Sequence, residues 1–154
     1  MKIFDGHIDT LNKIYLSKKD RSFLTRNKAT HVDLPRAKKG KLIGGFFAIN
    51  VPPPPSSPET EFTYNLTITK NGYVKKLDSA LDPKYAKKFT DSVIDLLYSI
   101  EKDSEGEVSV VTDIQSLEKN LEEGIFSIVL HFEGAAAIDK DLENLEYYYD
   151  KGLR

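Results

Sequence analysis

The sequence predicts an α/β fold in which parallel strands alternate with helices. Four short runs rich in apolar and β-branched residues lie at 2–8, 43–51, 108–111 and 125–134. Most of them are followed by a segment with helix-capping residues or apolar residues at helical spacing, and this alternation is typical of parallel βαβ units. We expect a single domain that covers residues 1–154, with ligands gathered at the carboxyl ends of the strands.

Composition excludes several classes of protein. The chain has 154 residues, of which 40% are hydrophobic and 30% charged, as in ordinary globular domains. A net charge of −2 without a basic patch argues against a nucleic-acid partner. The absence of cysteine excludes disulfides and cysteine-ligated metals. Because no apolar run approaches the roughly 18 residues of a membrane span, and Asp5 interrupts any signal peptide, we expect no membrane partner and a cytoplasmic location.

The first predicted strand ends in Asp5-Gly6-His7-Ile8-Asp9. Residues two apart in a strand point to the same side, so His7 and Asp9 converge where the strand ends. A nitrogen and an oxygen ligand at this spacing suit a zinc-type ion. An exposed histidine beside a turn explains the same pattern, and His31 is interpreted in that way, as structural or exposed rather than as a ligand.

The next elements are a short helix after Asp9, a second helix and a second strand. Pro35 favours the start of the second helix, with Asp33 as its N-cap and Gly40 at its end. The run 43–51 lacks clean alternation, which predicts a strand buried on both faces. Its Gly44-Gly45 pair permits a close approach of two backbones.

Residues 52–77 are predicted to form a loop and a β-hairpin. The proline-rich run 52–58 indicates a stiff loop, although such a run also suits binding to an aromatic groove. The alternating run 62–69 followed by Asn71-Gly72 indicates a hairpin. Because this segment leaves the carboxyl end of a buried strand, we expect it to lie over the functional face.

The second half begins with the clearest helix. Asp82 caps it, Pro83 takes its first position, and one apolar face recurs at steps of three and four: Tyr85, Phe89, Val93, Leu96, Leu97 and Ile100. Thr112 and Gln115 fit a capping box for a further helix that ends at Gly124. A last helix at 141–151 is followed by Leu153, where another strand is expected to begin.

The run 125–134 is strongly strand-like and turns polar at its carboxyl end. His131 and Glu133 share one face there. The pair formed by His7 and Asp9 occupies the same kind of position in the first strand. This coincidence favours a metal site over an isolated surface histidine.

Four motifs together resemble a known family. Asp5-Gly6-His7-Ile8-Asp9, Val32-Asp33-Leu34-Pro35-Arg36, Gly44-Gly45-Phe46-Phe47 and His131-Phe132-Glu133-Gly134-Ala135 are similar, in order, to segments of the membrane (renal) dipeptidase family. These are the M19 metallopeptidases of the amidohydrolase-like TIM barrels. Residues 147–154 are similar to the helix that leads into the fifth strand of that family.

The resemblance implies a partial (β/α)₈ TIM barrel, about the first four βα units, with a hairpin inserted after the second strand. It further implies a zinc-dependent dipeptidase with two zinc ions, in which His7 and Asp9 bind one ion and the catalytic Glu133 bridges both. A hydroxide between the metals would attack the dipeptide carbonyl. His131 matches none of the family's ligands. We predict that His7, Asp9 and Glu133 converge at the carboxyl ends of adjacent parallel strands. Because His7 and Glu133 belong to the first and fourth strands, a gap wider than metal-bridging distance is the alternative in a half barrel.

Length is where this sequence departs from the family. A complete barrel needs roughly 250 residues, and the family's other ligands, two histidines and an aspartate, belong to later strands. The sequence thus resembles an N-terminal half: a fragment, a truncated product or one subunit of a split barrel. We expect the isolated chain to be inactive and to associate with itself or with a complementing C-terminal half. A non-catalytic half-barrel module and a related amide hydrolase, such as a deacylase, remain open alternatives.

Overall fold

The computed structural model describes residues 1–17, 22–55, 66–77 and 79–154. In chain order the described elements are β1 (Ile3–Ile8), α1 (Thr10–Leu16), α2 (Leu34–Gly40), β2 (Leu42–Ile49), β3 (Leu66–Thr69), β4 (Gly72–Lys75), α3 (Pro83–Asp103), β5 (Val108–Val110), α4 (Ile114–Glu123), β6 (Phe126–Phe132) and α5 (Leu145–Asp150). None of these helices combines the length and the apolar composition that a membrane crossing needs.

The main sheet has four parallel strands in the order β1-β2-β6-β5. This arrangement confirms the α/β class. Four βα units wound one after another would instead give the order β1-β2-β5-β6, so the expectation that the glutamate-bearing strand lies fourth in the sheet is wrong. Strand β6 pairs directly with β2, from Gly44 opposite Ser127 to Ile49 opposite Phe132. The pairing brings the residues after β6 one strand closer to β1.

The helices lie on both faces of the sheet. Side chains of α1, α2 and α3 join one core cluster with Phe47 and Leu130, which project from the same face of β2 and β6. Helix α4 contacts the opposite face, where the Asn120 side-chain amide donates to the Ser127 hydroxyl at 3.2 Å. The reversed strand order accounts for this position, because a right-handed crossover that runs from β5 back to β6 carries its helix on the other face.

Phe46 shows that β2 is not covered equally on its two faces. The neighbouring Phe47 is fully buried, whereas Phe46 is 37% exposed. The prediction of burial on both faces holds for Gly44 and Ala48, which share the Phe46 face, and fails at Phe46. Helix α4 covers the Phe46 face only in part, through its contact with Ser127.

Aspartate side chains cap three of the described helices, α2, α3 and α4. The side chains of Asp33 and Asp82 accept hydrogen bonds from the first turns of α2 and α3, as predicted. Helix α4 is capped by Asp113, whose carboxylate accepts from the Ser116 backbone at 2.7 Å and from its hydroxyl at 2.9 Å. The predicted capping box at Thr112 is therefore wrong by one residue, since the stronger acceptor next to it takes the capping position. The left-handed residue that ends α2 is Lys41, with φ 57°, rather than Gly40.

The predicted hairpin is present where the chain is described. Strands β3 and β4 pair antiparallel, with Leu66 opposite Lys75, and Gly72 has a φ of 132°. Residues 56–65, which include part of the proline-rich run and the start of the alternating run, lie outside the described residues. The Tyr85 hydroxyl donates to the Pro52 carbonyl at 3.0 Å and ties the segment after β2 to α3. That residues 52–77 cover the functional face stays a prediction.

The last two residues pair with β6. Leu153 forms a parallel bridge with Leu130 of β6. The Arg154 N–H donates to the Leu130 carbonyl at 3.0 Å. Leu153 therefore lies beside the carboxyl half of β6, while β5 lies beside its amino half. The expectation that a strand starts here agrees with this pairing.

Candidate metal centre

Three acidic and imidazole side chains meet at the carboxyl end of the sheet. The Nε2 atom of His7 lies 3.3 Å from Asp9 Oδ1 and 3.4 Å from Glu133 Oε2. One ligand atom from each of the three residues lies within 4.8 Å of the other two. The structure thus brings together the residues that the sequence selected. The predicted convergence is observed, and the alternative of a wide gap between His7 and Glu133 does not occur because β6 lies next to β2.

Backbone contacts hold these residues in place. The Glu133 N–H donates to the Ile49 carbonyl at 2.9 Å, which fixes the start of the Glu133 loop against the end of β2. The His7 N–H donates to Asp5 Oδ1 at 3.0 Å, a contact that the sequence analysis did not anticipate. Asp9 takes the N-cap position of α1, yet its carboxylate makes no capping hydrogen bond. That carboxylate is therefore directed to His7 rather than to the helix.

The donor set suits a divalent metal ion. An imidazole nitrogen with two carboxylates is a common ligand set for zinc, and two negative charges offset those of a cation. The side chains of His7, Asp9 and Glu133 are 44%, 55% and 47% exposed, so an ion can reach them from solvent. The chemistry of the residues present fits a zinc-type ion. Their roles as ligands stay a prediction.

His131 lies on the other side of the His7 ring. Its Nε2 atom is 3.3 Å from His7 Nδ1, and the two rings meet edge to face with centroids 5.3 Å apart. The sequence left the role of His131 open. The sequence signal that pointed to its position near the centre was that His131 and Glu133 share one face of the predicted strand. His31 is exposed, as expected, and lines a cavity next to the centre without joining the three converging side chains.

An ion pair between the buried Asp33 and the partly exposed Arg36 supports one wall of that cavity, whose volume is about 400 Å³. Asp33 is fully buried and accepts hydrogen bonds from Arg36 Nε at 2.8 Å and from the Asn27 N–H at 3.2 Å. Arg36 in turn donates to the Thr30 carbonyl at 2.6 Å. The sequence identified Asp33 only as a helix cap. The structure shows that it also fixes the segment 27–33 beside the centre.

The same network determines the protonation of Asp33. Burial by itself raises the pKa of this carboxyl. Hydrogen bonds from the Arg36 side chain and backbone and from the Asn27 backbone, together with the Arg36 charge, outweigh burial and lower the pKa of Asp33 below its ordinary value. Asp33 therefore stays ionised to a lower pH in the folded protein than a carboxyl with the ordinary aspartate pKa.

Comparison with known proteins decides the family. The family model of the membrane dipeptidases, peptidase family M19, matches residues 1–154. The chain belongs to this family. This match confirms the family resemblance that the four sequence motifs indicated.

Individual M19 relatives are similar over all or nearly all of the chain. A metallopeptidase described as dipeptidase AC is 29% identical with a TM-score of 0.82, and the match covers 100% of this chain and 43% of that one. A Rhodobacter sphaeroides metallopeptidase, solved with a phosphinate mimic of the dipeptide L-Ala-D-Ala, is 28% identical with a TM-score of 0.80, over 100% of this chain and 44% of that one.

A curated relative has a similar coverage. The uncharacterized protein in the PQQ-III 3′ region of Acinetobacter calcoaceticus is 28% identical over 99% of this chain and 46% of its own length. The chain therefore spans less than half the length of these relatives. For this chain, the activity of the complete relatives is a proposal.

Proposed function

We propose that this chain supplies the first part of a zinc-dependent dipeptidase site, with His7, Asp9 and Glu133 as metal ligands. The observation that carries the proposal is the convergence of these three side chains within 4.8 Å at the carboxyl end of a parallel sheet. Membership of an M19 metallopeptidase family supports metal-dependent peptide hydrolysis as the chemistry.

The ligands have distinct roles in this proposal. His7 and Asp9, joined through one strand end, would hold one zinc ion. Glu133 has two carboxylate oxygens and would bridge that ion to a second one, which makes it the catalytic residue of this set. Zinc bound in such a site supplies a nucleophile at neutral pH and polarises the carbonyl that is attacked. The acids of the site also offset the charge of the two cations.

A dipeptide is the proposed substrate. The Rhodobacter sphaeroides neighbour was solved with a mimic of L-Ala-D-Ala, and the present chain is similar to it over its whole length. The cavity beside His7 and Asp9, with Lys13 and His31 in its lining, leaves room for a small polar ligand. The deacylase alternative shares the same metal chemistry and differs only in the amide that is cleaved.

We further propose that residues 1–154 form one domain, the N-terminal half of a (β/α)₈ barrel. Strands β1, β2 and β6 would be three successive barrel strands, and the strand that begins at Leu153 would be the next, since it pairs with β6 at Leu130. Strand β5 would be an addition beside the amino half of β6. The predicted four βα units are thereby revised to three barrel strands, followed by the start of a fourth strand at Leu153.

A complementing half is the proposed partner. Phe46 lies on the sheet face opposite the core cluster and is 37% exposed. Within the described sheet, β1 pairs only with β2. A C-terminal half that carries the family's other ligands would cover this face and pair with β1. A second copy of the chain is the alternative occupant, and it corresponds to the non-catalytic half-barrel module.

Zinc titration by calorimetry tests the proposed centre. Glu133→Gln and Asp9→Asn keep the size of the side chain and remove its charge, and Glu122→Gln on the exposed side of α4 is the matched control. We expect zinc to bind the wild type and Glu122→Gln alike and to bind the two site variants roughly 100-fold more weakly. Equal affinities in all four proteins would reject the proposed ligand set.

A further inference from the structure

We propose that His131 is a positioning residue for His7: the Nδ1–H of His7 donates a hydrogen bond to the Nε2 of His131, which leaves the unprotonated Nε2 of His7 to face the metal. This inference rests on the proposed metal centre and adds a residue that the family's ligands do not include. His131 acts through His7 in this account and does not touch the ion.

The two ring nitrogens of His7 face different partners. Its Nε2 lies 3.3 Å and 3.4 Å from carboxylate oxygens of Asp9 and Glu133, and its Nδ1 lies 3.3 Å from His131 Nε2. A neutral imidazole carries one N–H, and only its other nitrogen can bind a metal. If Nε2 binds the ion, the proton is on Nδ1, where it needs an acceptor. His131 is placed to be that acceptor.

His131 is outside the set of atoms that could share one ion. The ligand atoms that lie within 4.8 Å of one another belong to His7, Asp9 and Glu133. His131 approaches the nitrogen of His7 that points away from the two carboxylates. Ligating histidines commonly donate their second ring N–H to a neighbouring acceptor, which fixes the tautomer and the ring orientation. The contact between the two histidines has this form.

The sheet holds His131 in the required orientation. Its backbone is opposite Ala48 in the pairing of β6 with β2. Its ring packs edge-on against Phe46, with centroids 6.2 Å apart and an interplanar angle of 89°. Phe46 packs in the same way against Phe4 at 6.0 Å. The end of β6 therefore contributes both Glu133 for the ion and, two residues earlier on the same face, the acceptor for His7.

Two substitutions separate positioning from packing. His131→Gln places an amide oxygen at about the reach of the lost Nε2 and keeps an acceptor for His7. His131→Leu fills similar space without an acceptor. Glu122→Leu, which places the same apolar side chain at an exposed position of α4 outside the group of converging ligand atoms, is the matched control. Circular dichroism verifies that each variant keeps the wild-type fold.

The measurements are zinc affinity, by competition with a chromophoric chelator, and the imidazole NMR signals of the zinc-loaded protein. We expect His131→Leu to weaken zinc binding by about 10- to 100-fold, while His131→Gln and Glu122→Leu stay close to the wild type. We also expect a slowly exchanging Nδ1–H signal from His7 in the wild type and in His131→Gln. This signal is lost in His131→Leu.

Each contrary result has its own meaning. Wild-type zinc affinity in His131→Leu would overturn the positioning role and leave the metal centre intact. Two other results would also overturn the proposal, because they would indicate that His131 is itself a ligand. One is coordination of wild-type His7 through Nδ1. The other is the loss of one imidazole ligand in the X-ray absorption spectrum of His131→Gln. Absence of zinc binding by the wild type would instead overturn the metal centre on which the proposal rests.

Discussion

Gly44 and Ser127 lie in such close contact that a Cβ atom on Gly44 would be 2.3 Å from the carbonyl oxygen of Ser127. The same atom would lie 2.8 Å from the Phe4 ring. Only glycine fits at this point of the β2–β6 pairing. The pair lies at the start of the register that ends with Ile49 opposite Phe132, one residue before Glu133. The distance from Glu133 to His7 therefore depends on the close contact between Gly44 and Ser127.

Replacing Gly44 with alanine should destabilise the protein. The added methyl group meets backbone, which cannot rotate away, so we expect the free energy of unfolding to fall by about 1–3 kcal/mol. Gly40→Ala is the control, because nothing lies within 4 Å of a Cβ at that position. Urea denaturation of both variants checks the prediction. A Gly44→Ala protein as stable as the wild type would show that β2 and β6 do not pair as closely as described.

The Asp33 network should make stability depend on pH. The pKa of Asp33 is lower in the folded protein than its ordinary value of 3.8, so the unfolded chain binds more protons as the solution is acidified. The contribution of Asp33 is complete above that ordinary value and is lost as the pH falls through the lower, folded pKa. We expect Asp33→Asn to lower the free energy of unfolding by about 3 kcal/mol at pH 7, because it leaves Arg36 without its buried partner.

The cost of Asp33→Asn should be smaller at pH 3 than at pH 7. Urea denaturation at the two pH values measures this difference. Asp103→Asn, an exposed residue at the end of α3, is the control and should show no such pH dependence. A cost for Asp33→Asn that is equal at both pH values would contradict the lowered pKa.

The 154-residue chain by itself should show no substantial dipeptidase activity. Three protein ligands give a second zinc ion too few donors, and zinc needs a defined ligand number before it activates water. Within the described residues, β1 forms an edge of the sheet and Phe46 is exposed. Both features should drive association, because unpaired strand edges and uncovered apolar surface favour contacts with another chain.

Dipeptide hydrolysis with added zinc and mass by light scattering check this prediction on purified protein. We expect background hydrolysis and a mass above that of one chain, unless a complementing half is present. A monodisperse monomer that hydrolyses dipeptides, and loses this activity on Glu133→Gln, would show that the chain is more complete than proposed.

Local signals in the sequence were sufficient for most elements and drew attention to His7, Asp9 and Glu133 as candidate ligands. The caps at Asp33 and Asp82, the Asn71-Gly72 turn and the alternation of His131 with Glu133 each depend on a few neighbouring residues. Such signals act through local backbone geometry, so they can be read without knowledge of the tertiary fold.

The order of the strands could not be predicted in the same way. The runs that became β5 and β6 are both β-branched, and no local feature shows whether the chain adds β6 outside β5 or turns back beside β2. The observed order goes together with the packing of α3 and α4 on opposite faces, which depends on contacts between residues far apart in the sequence. The contact between His7 and His131 depends on that order, and so does the short distance from His7 to Glu133.

Anomalous diffraction from crystals grown with zinc tests the central claim most directly. We predict a zinc peak bonded to His7 Nε2 and to carboxylate oxygens of Asp9 and Glu133, at distances of about 2.0–2.2 Å. A zinc peak at other residues, with His7, Asp9 and Glu133 free of metal, would contradict it.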